Sequence, residues 1–129
     1  MKLTVEQALQ QGVDAQKEGK LQEAKRFYRA VLRSQPHQAD ATHNLGIIAI
    51  SLNKVDVALP LLKAALESEP ETEKFWLSYI GALIKEKEFH EAKQVLRQAK
   101  TQGMRRESLQ LFEAQLSRKS RRPTRASAW

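Results

Sequence analysis

Three stretches of the chain repeat one rhythm of apolar and polar positions. EAKRFYRAVLRSQP covers Glu23 to Pro36, VALPLLKAALESEP covers Val57 to Pro70, and EAKQVLRQAKTQGM covers Glu91 to Met104. Each starts 34 residues after the one before. The same offset relates Gly12 to Gly46, Ala24 to Ala58 and Ala92, and Val31 to Ala65 and Ala99. It also relates Tyr28 to Leu62 and Leu96, and Leu21 to Val55 and Phe89. Small residues at fixed places let two helices cross closely, and large ones at fixed places fill the space between them. A period of this length marks an array of stacked units, each burying its apolar face against the next. Each unit is expected to be a helix hairpin with a short polar turn, at 17–20 (KEGK), 52–55 (LNKV) and 85–88 (KEKE). In the second unit the spacing predicts helices over about 39–52 and 56–69.

The prolines fit this frame. Pro36 and Pro70 fall just past the second helix of their units, where proline ends a helix. Pro60 falls near the start of its helix, where the first backbone N–H groups have no internal partner. Its expected cost is at most about one hydrogen bond, well below the ~3 kcal/mol of a mid-helix proline. Residues 107–118, ESLQLFEAQLSR, predict one more helix with Leu109, Phe112 and Leu116 on one face. An apolar inner side and a polar outer side suit a cap on the array. The remainder, 119–129, lacks periodicity, is rich in arginine, and is expected to be disordered when free.

The pattern resembles the tetratricopeptide repeat family, in three units at 5–38, 39–72 and 73–106. Leu45, Gly46, Ala49, Ala58, Leu62, Ala65 and Pro70 stand in the family's places in the second unit, and Trp76 and Tyr79 in the third. Departures are Ile80, where the family prefers a small residue, Gln11 in an apolar slot, and Met104 in place of the closing proline. The resemblance implies an all-α right-handed superhelix of antiparallel hairpins over 1–118, with a concave groove lined by the first helix of each unit. Carried over residue by residue, it implies a partner-binding face that includes Leu9, Val13, His43, Asn44, Ile47, Ile50, Lys74, Leu77, Ile84 and Lys85. The aliphatic members would form an apolar strip, with His43, Asn44, Lys74 and Lys85 as a polar rim that orients the guest.

Relatives that grip a chaperone's C-terminal carboxylate use five polar contacts. Only Asn44 and Lys74 match them here, while Leu9, Val13 and Ser78 do not, so that ligand class is disfavoured: a carboxylate would lose water without full pairing. An apolar protein or peptide segment is the expected guest. Two further readings stay open. The chain could be the N-terminal region of a larger protein, such as a bacterial glycosyltransferase or sulfotransferase, or it could self-associate as a homo-oligomer.

Composition narrows the field. The net charge of +7 suggests nucleic acid until it is located along the chain. Residues 1–104 carry 15 Lys/Arg against 13 Asp/Glu, whereas 105–129 carry 7 against 2. A nearly balanced body argues against nucleic-acid binding, and the basic tail lacks interleaved aromatics for base stacking. With no cysteine there is neither disulfide nor thiolate metal site. That absence, with no apolar leader at the N-terminus, makes a cytoplasmic protein the expectation. No apolar run approaches the ~18 residues of a membrane span.

No glycine-rich phosphate loop is present, and His37, His43 and His90 lack metal-ligand spacing. Neither a cofactor, a metal nor catalysis is expected.

Overall fold

The computed structural model describes residues 2–120, and their fold is all-α. Seven helices run α1 (Val5–Lys17), α2 (Leu21–Ser34), α3 (Ala39–Ser51), α4 (Val55–Ser68), α5 (Glu73–Lys85), α6 (Phe89–Thr101) and α7 (Arg106–Ser120). Among the described residues there is no strand. None of these helices is long and apolar enough to cross a membrane. Helices α1/α2, α3/α4 and α5/α6 pair as hairpins, and α7 packs on α5 and α6.

Local chemistry sets the helix ends. Thr4 starts α1 with a reciprocal cap: its hydroxyl accepts from the Gln7 N–H at 3.1 Å, and the Gln7 side chain accepts from the Thr4 N–H at 2.9 Å. The three hairpin turns share one geometry. Gly19, Asn53 and Lys87 adopt φ of +78°, 60° and 63°, and they sit in the same register of the repeat. In each turn the next residue's N–H reaches back to close the helix, from Lys20 to Ala15 O, Lys54 to Ala49 O and Glu88 to Leu83 O, all at 2.8 Å. Left-handed backbone is free for Gly19, tolerable for Asn53, and costs about 1–2 kcal/mol at Lys87.

Helix α4 begins at Val55, one residue before the expected start. Pro60 is therefore its sixth residue, and only the bond to the Asp56 carbonyl is forgone. Pro70 lies beyond α4, and its carbonyl accepts from the Trp76 indole N–H at 2.6 Å, which ties the turn to α5. Helix α7 starts one residue before the expected cap and runs two residues past it. Lys119 and Ser120 thus belong to the helix, and the rest of the basic tail lies outside the described residues.

Close helix crossing rests on the glycines found by their offset. A methyl on Gly12 would sit 2.6 Å from Tyr28 Cε1, and one on Gly46 would sit 2.7 Å from Leu62 Cδ2. Both partners are fully buried. In the third hairpin Ile80 takes the place of these glycines and is itself completely buried. A methyl on Gly81, one position later, would sit 3.7 Å from the Phe112 ring of α7, an ordinary contact. Leu109 and Leu116 of α7 are buried in the same core as α4, α5 and α6. The apolar slot assigned to Gln11 is not a core slot here, since Gln11 is exposed.

Candidate functional site

The face built by α1, α3 and α5 carries every residue expected to bind a partner. Leu9 and Val13 come from α1, His43, Asn44, Ile47 and Ile50 from α3, and Lys74, Leu77, Ile84 and Lys85 from α5. Helices α3 and α5 lie side by side, because Lys74 Nζ sits 2.8 Å from Asp40 Oδ1 and His43 Nε2 sits 2.7 Å from Ser78 Oγ. The six aliphatic residues are all half-buried. Ile47, Ile50, Leu77 and Ile84 rest on the larger core, and Leu9 and Val13 rest on the core of the first hairpin. Each keeps part of its surface open to solvent.

The polar residues are arranged differently from the expectation. His43 is not a rim residue: only 7% of it is exposed. It lies against the Phe75 ring with centroids 4.9 Å apart. Asn44 Oδ1 faces His43 Nδ1 at 3.2 Å, so Nδ1 carries the proton and Nε2 accepts from the Ser78 hydroxyl. Ser78, His43 and Asn44 thus form one chain of hydrogen bonds between α5 and α3. Bonds in such a chain polarise and strengthen one another, and they fix the rotamers beneath the aliphatic strip. In the first hairpin the Tyr28 hydroxyl donates to Gln16 Oε1 at 2.6 Å.

Burial pushes the His43 imidazole below its ordinary pKa. The Asn44 hydrogen bond opposes this, the Lys74 charge adds to it, and Asp40 again opposes it. Burial pushes the Tyr28 phenol up, with the Asn44 hydrogen bond working against the shift and the Asp14 charge adding to it. Lys74 is engaged with Asp40 and lies 5.5 Å from the Phe75 ring centroid, so part of its charge is committed within the chain. Lys85 is exposed at the end of α5.

A serine hydroxyl on a histidine that is itself oriented by an amide has the outline of an activated nucleophile. Acyl transfer also needs preorganised donors for the developing oxyanion. Ser78 lies in mid-helix, where neighbouring N–H groups are spent on the helix itself. The backbone around the pair therefore offers no free donor. Among the described residues, no three His, Asp or Glu side chains are grouped to hold a metal ion.

Sequence reasoning missed these bonds because the partners lie apart along the chain, His43 and Ser78 by 35 positions and Gln16 and Tyr28 by 12. One signal was present: a tyrosine in a core slot needs a partner for its hydroxyl.

Two family models, both described as Tetratricopeptide repeat, match residues 49–116 and 9–52, the first spanning more than half of the chain. Solved structures share the fold. The MamA D159K mutant is 23% identical with a TM-score of 0.68, over 91% of this chain and 70% of that one. The chaperone SycD of Yersinia enterocolitica, solved in complex with a peptide of the translocator YopD, is 16% identical with a TM-score of 0.74, over 92% of this chain and 91% of that one. The P58(IPK) TPR domain is 20% identical with a TM-score of 0.77, over 89% of this chain, which spans 32% of that longer chain. No curated protein matches the chain.

Proposed function

The chain belongs to the tetratricopeptide repeat family, and from that premise we propose that it is a protein-interaction module whose α1/α3/α5 face receives an apolar segment of a partner. The observation that carries this reading is the set of six half-buried aliphatic residues, Leu9, Val13, Ile47, Ile50, Leu77 and Ile84, contributed by three successive hairpins. Contiguous apolar surface left open on a folded chain marks a contact site. The hydrogen-bonded floor beneath it holds the strip rigid, so little ordering entropy is spent on binding. Lys85 and the partly exposed Asn44 flank the strip and set the guest's direction. The reading is one of binding, since the strip offers apolar contact and the backbone N–H groups around Ser78 are spent on helix α5.

SycD, of the same fold, was solved with a peptide of the translocator YopD, which supports a peptide-binding role for this fold. Peptides selected from a display library on the intact chain test the proposal. Ile47→Glu and Leu77→Glu each place a charge in the strip and should abolish capture of apolar peptides while helicity stays unchanged. Retention of the selected peptides by both variants would remove the strip from the site.

A further inference from the structure

A second apolar surface lies on the face built by the second helices of the hairpins. Between α2 and α4 runs a cleft of about 320 Å³. Leu45, Ile48 and Ala49 of α3 line it, together with Leu61 of α4. Leu52 and Val57 also line it and are 36% and 50% exposed. They are two of the four large apolar side chains that stand exposed among the described residues, and both belong to this cleft. The other two, Leu3 and Leu111, lie outside it, so the cleft is where two such side chains stand together.

The charge around the cleft has one sign. Lys25, Arg29 and Lys54 line it, and no carboxylate does. None of the three is in an ion pair of the described residues. Lys25 and Arg29 stand four apart on one face of α2, where like charges repel and mildly destabilise the helix. The corresponding cleft one hairpin along, shifted by 34 residues, carries Glu86, Glu88 and Glu91 with Asp56 beside the single cation Lys63. The wholly basic lining is thus a property of the first cleft and not of the fold.

We propose that the α2/α4 cleft docks an acidic, leucine-rich segment of a partner protein, separate from the guest of the α1/α3/α5 face. Apolar side chains of that segment fill the space over Ile48 and Ala49 and cover Leu52 and Val57. Its carboxylates pair with Lys25, Arg29 and Lys54, which together set the preference for acidic over neutral sequence. A cleft of this volume between two helices suits a short helix or an extended strand.

The probe is a short fluorescein-labelled peptide of leucine and glutamate at helical spacing, with a leucine–glutamine peptide of the same pattern as its control. Fluorescence anisotropy on the full chain should show tighter binding of the glutamate peptide, with affinity falling as salt is raised. Val57→Asp adds a charge at an exposed position in the first turn of α4, where an acid is tolerated. The Lys25→Glu/Arg29→Glu pair reverses the rim at exposed or half-exposed sites. Each variant should weaken the glutamate peptide by roughly tenfold or more. Leu77→Glu, on the opposite face, should leave it unchanged. Equal binding of the two peptides, indifference to the cleft variants, or loss through Leu77→Glu would each overturn the proposal. So would a glutamate peptide that fails to bind while phosphatidylserine vesicles do, with vesicle binding lost on charge reversal. A dimer in light scattering that Val57→Asp dissociates would assign the cleft to a second copy and overturn it as well.

Discussion

Ser78→Ala probes the hydrogen-bonded floor at its most accessible link. The hydroxyl donates to His43 Nε2 at 2.7 Å, and His43 is only 7% exposed. Removing it leaves a nearly buried imidazole nitrogen without its donor. A buried unsatisfied polar atom costs about 1–3 kcal/mol. Ser78 is itself half-exposed, so water can reach part of the vacated space, and the lower half of that range applies. Alanine also gains a few tenths of a kcal/mol of helix propensity over serine. Ser51→Ala supplies that gain without the loss, because the exposed Ser51 hydroxyl donates only to the Ile48 carbonyl of its own helix.

The difference between the two variants in urea unfolding, followed by circular dichroism, should therefore be about 1–2 kcal/mol, with Ser78→Ala the weaker. Titration gives a second readout. The unfolded histidine takes up its proton near pH 6.5, whereas burial holds His43 below that value in the folded chain. Between the two values the unfolded chain holds more protons, so stability is full above pH 6.5 and declines as the pH falls below it. His43→Gln should flatten this part of the profile. Glu73, whose carboxyl is held low by hydrogen bonds from Arg105 and then Ser108, titrates further into the acid range and does not confuse it. Equal stability of Ser78→Ala and Ser51→Ala, or an unchanged pH profile in His43→Gln, would refute the network.

Further substitutions address the packing. Gly12→Ala should destabilise by about 1–3 kcal/mol despite its gain in propensity, because the rigid Tyr28 ring cannot move aside; thermal melting checks this. Leu62→Ala should cost about 2–5 kcal/mol, since it empties a fully buried site beneath Gly46; the urea midpoint should fall with little change in slope. Lys87→Gly should stabilise by roughly 0.5–1 kcal/mol, since it relieves a φ of 63° but loosens the unfolded chain; an unchanged or lower midpoint would contradict this.

The fold was legible because its decisive features recur at one offset. Gly12 and Gly46, Tyr28 and Leu62, and the turns at Gly19, Asn53 and Lys87 all repeat in register. Any one of them alone is a weak signal, and together they leave a single architecture. The cap was legible for a different reason, since Leu109 and Leu116 lie on one helical face. What escaped was whatever depends on the neighbour across a helix pair. His43 reads as a polar residue at a groove position, yet Phe75, Ser78 and Asn44 surround it. Ile80 reads as a departure from a small-residue slot, and only the folded chain shows it fully buried there. The basic lining of the α2/α4 cleft was hidden because Lys25 and Lys54 are 29 positions apart, and charge counted along the chain averages them with distant carboxylates.

The central claim is that the strip on α1, α3 and α5 is where a partner's apolar segment lies. Methyl-labelled NMR, during titration with a peptide selected on the intact chain, tests it directly. The account predicts that the Leu9, Ile47, Ile50, Leu77 and Ile84 methyl signals move together while fully buried Ile48 and Leu83 stay in place. A saturable shift confined to any other surface, with those five unmoved, would contradict it.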